Sequence, residues 1–100
     1  MNIRVEEIRK LERGSLRGFA TVIVGGFIRI SHIRIIQPEG KEPFIEMPQR
    51  SFQTTNGERK YRNVIDLPDD LTGEVEKAVL LFWNKLRHLS TEDEHGAQSA

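Results

Sequence analysis

Four cations stand close together in the middle of this chain, at Arg50, Arg59, Lys60 and Arg62, with Phe52 and Tyr61 among them. Guanidinium and ammonium groups neutralise phosphates, and aromatic rings beside them stack on exposed bases, so the pattern is that of a nucleic-acid contact. The same residue types also make an ordinary solvated loop when the two rings turn into the core. Other chemistry finds less support. His32, His88 and His95 are scattered, none of them at metal-ligand spacing from another, and there is no His-Glu-x-x-His run. Ser15, Ser31 and Ser51 lack a nearby base or the surroundings of a nucleophile elbow. Gly25-Gly26 is followed by neither a helix nor a Lys-Ser/Thr pair, which separates it from a phosphate-binding loop. Asp69-Asp70 is better explained as a helix cap than as an acid/base pair. With no cysteine in the chain, disulfides, cysteine zinc sites and thiol nucleophiles are excluded. No catalytic residue, metal site or cofactor is expected, and the chain is not expected to be an enzyme.

The charge balance narrows the partner. Net charge is zero overall, but residues 1–65 carry 12 Lys/Arg against 7 Asp/Glu, and residues 66–100 carry 3 against 8. The first part is therefore at +5 and the second at −5, a polarity that can give one basic face and one acidic one, or simply solvated surface. A chain of 100 residues is one domain's worth, and its 37% hydrophobic and 30% charged residues are those of a folded globular protein. The opening Met1-Asn2-Ile3-Arg4-Val5-Glu6-Glu7 has no signal-peptide core, and no apolar run reaches membrane-spanning length. A cytoplasmic protein without a membrane partner is expected.

The elements that must position these residues are mostly strands. Ile3, Val5, Ile8 and Leu11 alternate with charged residues as an edge strand ending near Arg13-Gly14-Ser15, although the spacing of Ile8 and Leu11 also allows a helix over Glu6–Glu12. Residues 19–24 and 27–36 are two β-branched-rich strands with only Gly25-Gly26 between them, which predicts a two-residue hairpin loop at positive φ. Within the second strand, Ile28 and Ile30 fall on even positions and Ile33 and Ile35 on odd ones. Side chains alternate faces along a strand, so this switch implies either a bulge near Ser31-His32 or burial on both faces. Gln37-Pro38-Glu39-Gly40 is a turn by composition, and Phe44-Ile45-Glu46-Met47 is a short strand stopped by Pro48. Asn56-Gly57 can close a further, polar hairpin onto residues 61–65.

From Leu67-Pro68-Asp69-Asp70 onward the period becomes helical. Asp69 or Asp70 can cap the helix, and Gly73 weakens its first turn enough to allow a start there instead. Leu71, Val75, Val79, Phe82, Leu86 and Leu89 form the apolar stripe, with Ala78 beside it. Leu80, Leu81 and Trp83 lie outside that stripe, either as a partner surface or packed on the edges of the sheet. Residues 90–100 are acidic and rich in small residues, as in a disordered tail. The expected fold is α+β: an antiparallel β-sheet of about four strands with a C-terminal α-helix packed on it over residues 1–89.

Three segments carry a resemblance. Ile28-Arg29-Ile30-Ser31-His32-Ile33-Arg34-Ile35-Ile36, Phe44-Ile45-Glu46-Met47-Pro48 and Tyr61-Arg62-Asn63-Val64-Ile65 resemble, in order and spacing, the stage V sporulation protein G (SpoVG) family, a group of septation regulators. The resemblance spans most of residues 1–88. His32 stands where the family usually has Asp, and Asn63 where it has Asp. What the resemblance implies is a homodimeric bacterial regulator of septation and sporulation genes that binds DNA and also RNA, on an antiparallel sheet with a C-terminal helix. It carries Arg50 and Arg62 over as nucleic-acid contacts, while Arg59 and Lys60 come from the charge pattern alone. No small-molecule substrate is expected. The competing expectation is a protein-interaction module, recruiting its partner through the wide helix face or an exposed sheet edge.

Overall fold

The computed structural model describes the backbone of residues 2–99 and the side chains of residues 2–88. Seven elements follow in order: β1 (Ile3–Arg13), β2 (Leu16–Val24), β3 (Ile28–Ile36), β4 (Phe44–Glu46), β5 (Gln49–Gln53), β6 (Arg59–Asn63) and α1 (Asp69–Ser99). The first four form one antiparallel sheet in the order β1-β2-β3-β4, and β5-β6 form a separate hairpin. The fold is α+β as expected, with the polar hairpin standing as its own small sheet. The acidic tail expected over 90–100 falls on residues whose side chains lie outside those described.

Bulges set the pattern of β1. It carries one extra residue relative to β2 between Val5 and Glu7 and another between Lys10 and Arg13. Each insertion shifts the inward-facing position by one. Ile3, Val5, Ile8 and Leu11 thereby all turn to the half-buried side although their spacing runs two, three, three. The interval of three that also allowed a helix is the imprint of two bulges in a strand. Next to them, Gly18 lies so close to β1 that a Cβ there would meet the Arg9 carbonyl oxygen at 2.7 Å.

The β2–β3 turn holds both glycines at positive φ, +66° and +85°. The loop is one residue longer than expected. Val24 pairs with Ile28, and Phe27, expected in the strand, sits in the turn with its N–H donating to the Val24 carbonyl at 3.4 Å. In β3 the switch of parity is a bulge: Ala20 faces Ile33 and Val22 faces Ile30, so β3 spends three residues against two. His32 takes up the extra length at φ +63°. Ile30, Ile33 and Ile35 consequently all point to the same, buried side.

That side is covered by α1. Val75, Val79 and Trp83, one above the other at intervals of four, pack with Ala20, Val22, Val24, Ile30, Ile33, Ile35 and Met47, and burying each such Val or Ile side chain is worth about 1.5–3 kcal/mol. The helix begins earlier than expected. The Pro68 carbonyl accepts its first bond, from Thr72 N at 2.9 Å, so Asp69 and Asp70 occupy the first turn and Gly73 lies inside the helix. The apolar stripe is also rotated from the expected one. Trp83 is 6% exposed and Phe82 36%, which exchanges their roles. Leu81 is exposed as well. Glu76 reaches from α1 to accept the Ile45 N–H at 3.3 Å, closing part of the free edge at β4. No helix among the described residues is long and apolar enough to cross a membrane.

Candidate nucleic-acid interface

The polar segment folds as a hairpin because its turn chemistry is strong. Gly57 takes φ +84°, its N–H donates to the Thr54 carbonyl at 3.0 Å, and Thr54 N–H donates to the Glu58 carbonyl at 2.9 Å. Its base is fixed by Val64 N–H donating to the Pro48 carbonyl at 2.8 Å, and by the Gln49 amide nitrogen donating to Asn63 Oδ1 at 3.2 Å. Every residue of both its strands is exposed.

Register decides which cations meet. Arg50 pairs directly with Arg62, Phe52 with Lys60, Ser51 with Tyr61 and Gln53 with Arg59. Alternation then places Arg50, Phe52, Lys60 and Arg62 on one face and Arg59 and Tyr61 on the other. Of the four cations expected at the site, the fold brings three together and turns Arg59 away. Phe52 and Tyr61 are 39% and 63% exposed, so neither ring enters the core. The Arg62 guanidinium lies over the Phe52 ring, 5.2 Å from its centroid, within the range of a cation–π contact. Like charges placed directly opposite destabilise a hairpin. Neither β5 nor β6 contains an acidic residue, and among the described residues no carboxylate pairs with these cations.

A cleft of about 470 Å³ lies along this hairpin, walled by Arg50, Phe52, Arg62 and Val64. Val64 also borders a second cleft, of about 410 Å³, between the hairpin base at Pro48 and Gln49 and the bulge at Ser31-His32. The bulge in turn borders a third cleft, of about 390 Å³, on the sheet face away from α1, where Glu6, Arg9, Phe19 and Arg29 lie. There Arg29 makes a two-pronged ion pair with Glu6, with both N···O distances 2.9 Å. The hydrogen bond from Arg29 lowers the Glu6 carboxyl below its ordinary value, and the guanidinium is raised in return. Phe19 and His32 meet edge to face with centroids 6.1 Å apart. In the sequence, only the parity switch at Ser31-His32 pointed here. The pairing of Glu6 with Arg29, 23 positions apart, and of Phe19 with His32 left no mark in it.

A separate cleft of about 420 Å³, between the ends of β1 and β3 and α1, has Lys10, Glu12, Arg17 and Glu39 around Trp83 and stands apart from this chain of clefts. The family model named SpoVG matches residues 1–85, a span that includes the sheet, the hairpin and the first half of the helix. No curated protein and no solved structure matches the chain.

Proposed function

The chain belongs to the SpoVG family, and on that basis we propose that it is a dimeric, nucleic-acid-binding regulator of the septation and sporulation kind, contacting DNA or RNA through the hairpin face that carries Arg50, Lys60 and Arg62. The observation that carries this reading is the Arg50–Arg62 cross-strand pair over Phe52. Two guanidinium groups opposed on an exposed strand pair, with no acidic residue on either strand, cost the free protein stability and favour an external polyanion. Phosphates supply that charge, and the exposed Phe52 ring supplies a stacking surface. Lys60 adds to the same face. Arg59 and Tyr61, on the reverse face, serve phosphates that wrap around the hairpin.

Dimerisation is supported by the small size of the domain and by Leu81 and Phe82, exposed apolar side chains on the helix. It doubles the cationic faces presented to one nucleic acid. Light scattering at micromolar concentration is expected to give twice the chain mass, and a monomer would contradict this part of the proposal. A protein-interaction module is the second reading, favoured by Phe27, which is 83% exposed at the β2–β3 turn. A partner retained after nuclease treatment, with no shift of any DNA or RNA probe, would select it.

The experiment for the leading reading is selection of bound sequences from random DNA and RNA pools, followed by titration of the wild-type protein and an Arg50→Ala/Arg62→Ala variant at several salt concentrations. Each phosphate contact contributes about 0.7 to the slope of log K against log salt for single strands and about 0.9 for duplex. The double variant is expected to bind more weakly and to lose roughly 1.4 to 1.8 of slope. Unchanged affinity and slope would refute this site.

A further inference from the structure

The cleft between the ends of β1 and β3 and the helix takes no part in the hairpin reading, and its charges are arranged unlike those elsewhere on the sheet. On the open face, acids and cations meet in pairs: Glu6 with Arg29, Glu46 with Arg34 and Glu7 with Arg9. Around this cleft Lys10, Arg17 and Arg87 stand with Glu12 and Glu39, and among the described residues neither of these two glutamates makes an ion pair. Its volume, about 420 Å³, is in the range of small-molecule sites. Opposite charges that share such a cleft without closing on one another leave room for an occupant that carries both signs.

Gln37 fixes the cationic side. Its backbone carbonyl accepts from Arg17 Nε at 3.2 Å, and its side-chain oxygen accepts from Arg87 Nη1 at 3.4 Å. Its own N–H is tied to the Ser15 carbonyl at 2.8 Å, and its amide nitrogen to the Lys41 carbonyl at 3.2 Å. Arg17 is half-buried and held through Nε, while its two terminal nitrogens have no acceptor among the described residues. A guanidinium oriented in this way presents a pair of N–H groups that matches a carboxylate. The apolar part of the lining is Leu11 and Pro38, both half-buried, and Trp83, which is 6% exposed. The Trp83 indole N–H is buried and has no acceptor among the described residues, a condition that folded interiors seldom keep without a role.

We propose that this cleft binds a small amphoteric metabolite of the amino-acid class, its carboxylate on the terminal nitrogens of Arg17, its protonated amine on Glu12 and Glu39, and its side chain toward Leu11, Pro38 and Trp83. Three cations against two carboxylates leave a surplus of one positive charge, which favours acidic members such as glutamate over neutral and basic ones. The occupant touches β1, the turn after β3 and the helix together, so it binds the folded chain alone and raises its melting temperature. The site is independent of the hairpin: its readouts involve no nucleic acid, and either reading can fail without the other.

Trp83 is the single tryptophan of the chain, so its emission reports on the cleft without a label. The full chain is titrated with glutamate, leucine, lysine, succinate (carboxylates without an amine) and putrescine (amines without a carboxylate), followed by Trp83 emission and by isothermal calorimetry. Glutamate is expected to bind saturably and to bind more tightly than leucine, with lysine, succinate and putrescine weaker than glutamate by about tenfold or more. Arg17→Gln is expected to lose roughly tenfold for every carboxylate, and Arg17→Lys, which keeps the charge without the fork, to lose part of that. Glu12→Gln/Glu39→Gln is expected to abolish the preference for glutamate over succinate. Circular dichroism melting of each unliganded variant ties these losses to the cleft rather than to unfolding. Neither a saturable heat nor an emission change with any of the five compounds overturns the site. Succinate bound by the wild type as tightly as glutamate overturns the amphoteric assignment. Glutamate bound by both Arg17 variants as by the wild type overturns the placement of the carboxylate.

Discussion

Replacing His32 by valine and, separately, by glycine puts two rules of strand chemistry in opposition. In a regular strand, valine is favoured over glycine by about 1 kcal/mol, because it fits the pleated surface and glycine has more entropy to lose. At position 32 the backbone has φ +63°. A side chain with a Cβ costs about 1–2 kcal/mol in that conformation, and β-branching adds to the clash. Glycine has no such cost and gives back only about 0.5–1 kcal/mol in backbone entropy. The order of stability therefore inverts, with His32→Gly above His32→Val by about 1 kcal/mol. For a domain of this size that is roughly 4–8 °C in Tm. Valine has one other way out, which is to straighten β3 and lose the bulge. A slip of one residue would then turn either Ile30 or the Ile33/Ile35 pair out of the core, and each exposed isoleucine costs more than the strain it relieves. The assay is thermal melting with urea titration, checking that the urea dependence stays equal between variants so that the midpoints compare stability alone. A valine variant as stable as the glycine variant, or more so, would refute the bulge as the reason that Ile30, Ile33 and Ile35 share a face.

Two further outcomes test the helix face and the open face of the sheet. Trp83→Ala is expected to cost about 3–5 kcal/mol and Phe82→Ala no more than about 1, in urea titrations, since only the first is in the core; equal losses would mean that the helix is rotated from its place here. Glu6 has a lowered carboxyl pKa in the folded chain because Arg29 donates to it, so its contribution is complete above the unfolded value near 4.5 and disappears as pH falls through the lower, folded value. Glu6→Gln is accordingly expected to be slightly less stable than wild type above about pH 4.5 and to converge on it as the pH falls further, so that the acid side of its stability–pH curve is flatter; an acid limb as steep as that of wild type would remove the Arg29 bond from the account.

What local chemistry dictates was legible along the chain. Gly25-Gly26 and Asn56-Gly57 mark turns because positive φ is accessible to glycine without a clash, and both turns form. The parity switch from Ile28 and Ile30 to Ile33 and Ile35 marks an irregularity, a bulge or burial on both faces, and the structure takes the bulge, because a strand can bury Ile30, Ile33 and Ile35 on one side only by inserting a residue. The change of period after Leu67 marks the helix. The phase of that helix was less legible. Leu80, Leu81, Phe82 and Trp83 are four large apolar residues in succession, so any of several stripes satisfies the pattern, and only docking on the sheet selects Val75, Val79 and Trp83.

The cluster around Arg50 and Arg62 was visible in the sequence as composition: four cations and two rings in one polar stretch, with no acid on the strands that hold them. Its division into two faces was not, because a hairpin's register depends on how many residues its turn consumes, and a shift of one would exchange Arg59 and Lys60. The pairing of Arg50 with Arg62 over Phe52 is thus a product of the five-residue connection from Thr54 to Glu58. The Glu6–Arg29 fork and the Phe19–His32 rings depend on still more, since they join β1, β2 and β3 across bulges that set each strand's phase separately. Sequence determined the turns, the irregularity in β3 and the charge. The surface on which they meet exists only once backbone hydrogen bonds between distant segments have fixed which residues stand opposite one another.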